Sequence, residues 1–226
     1  GGRQGPALTS GIIRSGKISF HSPRINAAEE IGITRILSLA RTTGARVHIT
    51  HVTSAQGVAL IGAAKAQGLK ITASCPARSL ILCDQSIELN AYDTRFRLVP
   101  PLRSEGDRDA LREAVADGVI DALISDHKPW TRVEKEIEFE WCQPGAMGLE
   151  TALSAALEGL AGDVSVVLRA LSVAPSALLG RRAAIEVGAA ADLAIFEPTT
   201  AVRRGPPWRS KGLNEPLDGV TLPGRV

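Results

Sequence analysis

The chain has 226 residues, 44% of them hydrophobic and 22% charged, which is typical of a globular protein with either one α/β barrel or two modest domains. Its 26 basic and 24 acidic side chains give a net charge of +2, which argues against binding to nucleic acid or to a membrane surface. The sequence shows no signal peptide and no run near the roughly 18 apolar residues of a membrane span. Its three cysteines lack a CxxC spacing, which indicates reduced thiols and a cytoplasmic location.

In chain order, the first predicted element is a helix over residues 28–44, with Gly44 as its C-cap. Four of its apolar residues are expected near one face: Ile31, Ile36, Leu37 and Leu39. Four short β-rich runs follow, at 46–52, 69–75, 96–102 and 121–127. Two helices are predicted between these runs, one from Ser54 to Gly68 and one from Ser104 to Gly118. The alternation predicts a parallel sheet, as part of a barrel or as an open doubly wound sheet.

Beyond about residue 145 the composition changes. Residues 144–162 and 164–180 are Ala/Leu-rich and predict helices, and 188–198 predicts a turn that leads into a strand. The stretch RRGPPWR (203–209) is basic with one aromatic, but its prolines and shortness favour a solvated loop over a nucleic-acid contact.

Polar residues at the predicted strand ends are the first candidates for a functional site. His51 ends the first run and Asp126 ends the fourth, and functional groups of parallel α/β proteins collect at the carboxyl ends of strands. His48 and His51 are three apart on a strand and so point to opposite faces, which argues against a chelating pair. A single strand-end histidine is commonly structural. No GxGxxG or Walker A motif occurs.

Several segments together resemble the cyclic amidohydrolases, and within them the dihydroorotases. They are ARVHITHVTSAQGVALI, LKITASCPARSLIL, FRLVPPLRS with its continuation to SDHKPW, PGAMGLETAL, GAAADLAIFEP and SKGLNEPLDGVTLPGRV. The resemblance implies an α/β fold: the second half of a (β/α)8 TIM-type metallohydrolase barrel plus part of a small β-domain. It divides the chain into a poorly assigned segment (1–20), a partial barrel (21–180) and a β-domain segment (181–226). The family's His-x-His metal pair and its bridging carboxylate or carboxylated lysine belong to the first half.

The implied activity is the reversible hydrolysis of the dihydroorotate ring amide to N-carbamoyl-aspartate in de novo pyrimidine biosynthesis. An amide carbonyl is a poor electrophile for water, and the family's zinc centre lowers the pKa of bound water to about 7 and polarises the carbonyl. A strand-end aspartate binds metal and carries a proton to the leaving nitrogen.

The resemblance carries over residue by residue with a divided result. His51 matches a metal-ligand histidine, and Asp126 matches the aspartate that is both metal ligand and catalytic base. Arg78 stands at the usual third histidine position, and a guanidinium cannot bind a dication. Val99 replaces a substrate-binding asparagine and Trp130 replaces a histidine, so no substrate-binding residue is assigned.

These replacements favour a dihydroorotase-like protein with impaired or lost activity. Zinc is expected from the family, and whether this chain binds it stays open. An ion pair of Arg78 with Asp126 would fill the metal position, and His127 is expected to be structural. The alternative is a non-catalytic scaffold for aspartate carbamoyltransferase, and an active enzyme with metal on His51 and Asp126 stays open. Hydrolysis of another cyclic amide is a further alternative. An oligomer is expected, with no nucleic-acid or membrane partner.

Overall fold

A three-stranded parallel sheet organises the fold of the computed structural model, which describes residues 12–14, 17–19 and 23–226. The strands are β1 (Ile12–Arg14), β2 (Lys17–Ser19), β3 (Val47–Ile49), β4 (Ile71–Pro76), β5 (Ala122–Ile124), β6 (Val202–Arg203) and β7 (Thr221–Leu222). The helices are α1 (Pro23–Thr43), α2 (Ala55–Ala66), α3 (Gln85–Leu89), α4 (Glu105–Ala116), α5 (Arg132–Lys135), α6 (Ala152–Gly159), α7 (Val164–Leu168) and α8 (Ala174–Leu178). Short 3-10 turns cover Ala77–Leu80 and Thr94–Phe96, and a π-helical turn (Arg169–Val173) joins α7 to α8.

The parallel sheet has the order β3-β4-β5, and β1 with β2 and β6 with β7 form separate antiparallel pairs. Val47 is in register with Ile71, and Ser74 with Ala122. Helices α2 and α4 lie in the connections between consecutive strands of this sheet, which is the arrangement of β/α units. The α/β fold class predicted from the sequence is confirmed.

The two faces of the sheet differ because successive strand residues point to opposite sides. One face is largely buried, and its Ile49, Ile71 and Cys75 belong to the main hydrophobic core. The opposite face carries His48 and borders a cavity of about 860 Å³. His48 lies 2.9 Å from Thr72 Oγ1 and 3.1 Å from Ser74 Oγ, and burial lowers its pKa. Helices α2 and α4 contribute Ile61 and Leu111 to the same core, so the helices cover one face of the sheet while the other borders the cavity, as in part of a barrel wall.

Helix ends follow the predicted caps. Ser54 accepts a hydrogen bond from the backbone N of Gly57, and Ser104 accepts one from the N of Asp107, as N-caps do. Gly44, Gly68 and Gly118, which follow the helices, have φ values of 68°, 79° and 78°; this left-handed region favours glycine. Among the described residues, no helix is both long and apolar enough to cross a membrane.

The predicted strand over 96–102 is wrong. These residues form the end of a 3-10 turn and an irregular segment, and β4 pairs directly with β5. Pro100 and Pro101 have no backbone N–H, so they cannot donate to a strand ladder. Arg103, just beyond them, instead pairs with Glu29 of α1 at 3.1 Å, and Glu29 accepts the backbone N–H of Ser54 at 3.0 Å.

The inward face of α1 and the strand within 188–198 also differ from the sequence prediction. In α1 the buried residues are Ile33, Leu37 and Ala40, whereas Ile31, Ile36 and Leu39 are exposed, so only Leu37 of the predicted face packs inward. The strand expected within 188–198 is reduced to an isolated bridge between Glu197 and Arg225. Isolated strands are not stable without a partner, and no other segment of the described chain pairs with this one. Most of the 1–20 segment lies outside the described residues.

Candidate functional site

The carboxyl ends of β3, β4 and β5, here called the mouth, bring together three residues that are far apart in sequence. His51, Arg78 and Asp126 each lie two residues beyond the last residue of their strand. Because neighbouring parallel strands end at the same edge of a sheet, equal offsets place these side chains side by side. The predicted convergence of His51 and Asp126 is present in the structure, and Arg78 lies with them.

Two of these residues have an unusual backbone conformation. His51 has a φ of 59° and Asp126 a φ of 44°, in the left-handed region that residues other than glycine rarely adopt. Such conformations cost of order 1–3 kcal/mol each and cluster at functional sites. His51 lies after the end of β3, so the alternation of side chains between the two faces of the sheet, which places His48, does not extend to His51.

The Asp126 carboxylate is buried, with its side chain 3% exposed, and both oxygens are engaged. Its Oδ2 accepts a hydrogen bond from Arg78 Nη1 at 3.0 Å. Its Oδ1 lies 3.1 Å from His51 Nε2 and 2.8 Å from Lys128 Nζ. One carboxylate thus faces two cationic side chains and an imidazole, so the predicted Arg78–Asp126 ion pair is present.

The Arg78 guanidinium is held by more than this ion pair. Its Nη2 lies 2.7 Å from the carbonyl oxygens of both Ser125 and Asp126, 3.2 Å from that of Met147 and 3.4 Å from that of Ala146. The side chain is 3% exposed, and burial lowers the pKa of Arg78 while the Asp126 charge opposes that shift. Nη2 carries two of the five N–H donors of a guanidinium, so the four carbonyl oxygens share two hydrogens, and those of Ser125 and Asp126 are the shortest contacts.

The described residues do not make a zinc site on their own. Zinc sites use three or four nitrogen, oxygen or sulfur ligands, whereas the mouth offers His51 and Asp126. No group of three or more His, Cys, Asp and Glu that could hold a metal ion occurs in the described part of the chain. Arg78 adds a permanent positive charge 3.0 Å from Asp126, where a dication would be repelled.

Val99 and Trp130, the other two positions at which the resemblance implies a replacement, make structural contacts. Val99 is 40% exposed, and its carbonyl accepts a hydrogen bond from Lys128 Nζ at 2.9 Å. Trp130 donates its indole N–H to the carbonyl of Pro144 at 3.1 Å. His127 Nδ1 lies 3.3 Å from the backbone N of Gly148, which is the structural role expected for it.

Two buried residues near the C-terminus were missed from the sequence. Asn214 donates to the carbonyls of Lys128 and Gly145 at 2.9 and 3.0 Å, and accepts from the Trp130 backbone N at 2.9 Å. These three hydrogen bonds therefore hold the loop that carries Asp126 in place. Glu215 accepts a hydrogen bond from Thr151 at 3.1 Å, and burial raises its pKa to about 7. Their position inside the matching SKGLNEP segment was the only sequence signal.

Comparison with known proteins identifies the class. The chain belongs to the amidohydrolase family, whose model, described as "Amidohydrolase family", matches residues 13–226. It is 38% identical over 225 residues to a dihydroorotase from Syntrophus aciditrophicus, which covers 96% of this chain and 52% of that protein. It is 39% identical over 204 residues to a dihydroorotase-like protein from Pseudomonas aeruginosa, which covers 88% of this chain and 48% of that protein. The predicted resemblance to dihydroorotases is confirmed.

Solved structures support the fold. A dihydropyrimidinase from Brevibacillus agri superposes with a TM-score of 0.78 at 24% identity, over 88% of this chain and 46% of that one. A D-hydantoinase from a Thermus species gives 0.77 at 23% identity, over 88% and 46%. The chain spans about half the length of the curated relatives it matches.

Proposed function

We propose that this protein is a dihydroorotase-like member of pyrimidine biosynthesis in which metal-dependent turnover is impaired or lost. One observation carries the proposal: the buried Arg78 guanidinium is bound to the carboxylate of Asp126 at 3.0 Å. The family's chemistry would require that carboxylate for metal binding and proton transfer. The electrostatic attraction between Arg78 and Asp126 fixes the position of the loop that follows β5.

Hydrolysis of a ring amide needs an activated water and a group that moves its proton to the leaving nitrogen. A carboxylate does this through an oxygen that is free to accept the proton. In this mouth Oδ2 of Asp126 accepts from Arg78, and Oδ1 faces both Lys128 and His51. Proton transfer would first have to break one of these contacts at a carboxylate that is only 3% exposed.

The substrate positions support the same proposal. Val99 presents only methyl groups where a polar side chain would hold a pyrimidine ring, and its carbonyl already accepts from Lys128. The indole N–H of Trp130 is already used by Pro144. The side chains at these two positions therefore offer no free polar group for a cyclic amide.

Two alternatives follow from specific observations. The convergence of His51 Nε2 and Asp126 Oδ1 to 3.1 Å favours an active dihydroorotase, with zinc on these residues and further ligands from outside the described chain. The engaged Asp126 carboxylate instead favours a non-catalytic protein, for which the family resemblance implies a scaffold role with aspartate carbamoyltransferase. One of the relatives carries only the name dihydroorotase-like.

The test is the metal content and dihydroorotate turnover of the intact protein, with zinc supplied during purification and assay. We expect substoichiometric zinc and no turnover above the uncatalysed rate. Stoichiometric zinc together with turnover would establish the active-enzyme alternative. Co-purification of aspartate carbamoyltransferase with a metal-free protein would establish the scaffold.

A further inference from the structure

A cavity of about 490 Å³, here called the arginine cavity, is formed where the β6–β7 pair meets the 3-10 turn Thr94–Phe96. Its size is within the range of small-molecule sites. It is lined by Arg95, Arg203 and Arg204. Among the described residues of its wall, Asp218 is the only acidic one. The cavity is therefore a positively charged recess, and it uses none of the three side chains that meet at the mouth.

The guanidinium of Arg203 is available to a ligand. Its Nη2 lies 3.5 Å from the point where a Cβ on Gly219 would stand, and both residues line the cavity. Within the described chain, the Arg203 side chain forms no hydrogen bond and no ion pair. A guanidinium presents planar pairs of N–H donors that match two oxygens of a carboxylate or a phosphate. Arg203 therefore offers an unused anion-binding fork.

The charge of Arg204 is met by neutral oxygens alone. Its Nη2 donates to Ser154 Oγ and to the carbonyls of Pro223 and Gly224, and no carboxylate of the described residues pairs with it. Its Nε is the one buried side-chain nitrogen or oxygen without a hydrogen-bond partner among those residues. Burial lowers the pKa of Arg204. Because a nearby negative charge stabilises such a cation, Arg204 favours an anion in the cavity.

Arg95 and Asp218 form the weakly engaged side of the cavity. Arg95 Nη2 pairs with Asp93 at 2.7 Å, which holds the side chain in place. Its Nη1 makes two long contacts, 3.4 Å to Asp218 Oδ2 and 3.4 Å to the Glu215 carbonyl, whereas N–H···O hydrogen bonds are usually about 2.7–3.2 Å. This donor can therefore turn to an incoming oxygen. Asp218 is exposed, and its charge opposes an anion.

We propose that the arginine cavity binds a phosphoryl group, either free or carried by a small molecule. The two guanidinium groups without an acidic partner, those of Arg203 and Arg204, match the charge of roughly −1.5 to −2 on a phosphoryl group at neutral pH. A carboxylate carries one charge and is satisfied by a single guanidinium fork, which would leave the second arginine uncompensated. Arg203 binds the phosphoryl oxygens directly, Arg95 adds a donor, and Arg204 contributes charge.

Isothermal titration calorimetry of the intact protein with inorganic pyrophosphate tests this site. We expect binding by the wild type with a Kd of about 1 mM or below, which weakens as the salt concentration rises. Arg203→Gln removes the free fork and should weaken binding by roughly tenfold or more. Asp218→Asn removes the opposing charge and should tighten binding by roughly threefold. Both positions are exposed, and circular dichroism should show both variants folded.

Matched controls make the same changes in net charge outside the cavity. Arg182→Gln and Asp117→Asn are at exposed positions that do not line it, and both should bind pyrophosphate like the wild type. A wild type that does not bind pyrophosphate at millimolar concentration overturns the proposal. So does an Arg203→Gln variant that binds no more weakly than Arg182→Gln, or an Asp218→Asn variant that binds no more tightly than Asp117→Asn.

Parallel titrations identify the chemistry of the ligand. Succinate, which carries two carboxylates, should bind more weakly than pyrophosphate, and equal or tighter binding of succinate would overturn the assignment to a phosphoryl group. Inorganic phosphate and ribose 5-phosphate distinguish the two sources of that group. Tighter binding of ribose 5-phosphate would support a phosphorylated small molecule, and tighter binding of inorganic phosphate would support the free anion.

Discussion

Replacing Arg78 by methionine should strongly destabilise the protein. The substitution keeps the length of the side chain but leaves the Asp126 carboxylate, 3% exposed, without its buried partner. Removal of one member of a buried ion pair costs about 3–5 kcal/mol. The carbonyls of Ser125 and Asp126 also lose a donor, while Lys128 still faces the carboxylate and partly compensates its charge. We therefore expect a loss of about 3–5 kcal/mol in the free energy of unfolding.

Urea denaturation of Arg78→Met, Asp126→Asn and the double variant would measure this loss and its origin. If the two side chains stabilise each other, the double variant should be more stable than additivity predicts, by about 1–3 kcal/mol. The exposed pair Arg132–Glu136, 3.0 Å apart, is the matched control, and Arg132→Met should cost less than about 1 kcal/mol. A loss below about 1 kcal/mol for Arg78→Met, or additive single effects, would show that Arg78 and Asp126 do not stabilise each other as a buried ion pair.

Three further predictions concern the residues behind the mouth. The pKa of Glu215 is about 7 in the folded protein and 4.5 ordinarily, so the folded state keeps its proton longer and stability falls as pH rises between these values. The fall is at most about 3 kcal/mol, and Glu215→Gln should remove it, as urea unfolding at pH 4.5 and 7.5 would show. Asn214→Ala breaks three buried hydrogen bonds and should cost about 3 kcal/mol by the same assay. Gly148→Ala would place a methyl group against the Arg78 guanidinium and the Ser125 carbonyl, which should lower the thermal midpoint through a cost of about 1–3 kcal/mol.

Each of these has a control elsewhere in the chain. Glu88→Gln, at an exposed helix position, should leave the pH dependence unchanged. Asn90→Ala removes an exposed bond to the Ser86 carbonyl and should cost less than about 1 kcal/mol. Gly32 lies in α1 with nothing within 4 Å of an added Cβ, so Gly32→Ala should stabilise by about 0.5–1 kcal/mol. If a variant and its control change stability, or its pH dependence, by the same amount, the buried residue has no special stabilising role.

Local signals predicted most of the helices, although only Ala152–Gly159 of the helix expected over 144–162 is helical. The caps at Ser54 and Ser104 depend on contacts within three residues, which the sequence displays directly. The strand over 96–102 was wrong because its apolar composition outweighed two prolines that cannot donate hydrogen bonds. The inward face of α1 was assigned from apolar residues alone, although Leu37 is the only one of the four that is buried.

The site was predictable only as far as strand ends could be placed. His51 and Asp126 followed from the ends of two β-rich runs, and the contact of Arg78 with Asp126 followed from the family resemblance. Two other contacts depend on how loops fold back over the mouth. Lys128 pairs with Asp126, and Asn214 donates a hydrogen bond to the Lys128 carbonyl, 86 residues away in sequence. Periodicity and spacing contain no information on such contacts.

The most direct test of the central claim is an anomalous difference map at the zinc edge, from crystals of the intact protein grown with zinc. We expect no zinc peak between His51 and Asp126, and an Arg78 guanidinium within hydrogen-bonding distance of the carboxylate. A zinc peak coordinated by both residues, with Arg78 displaced from Asp126, would contradict it.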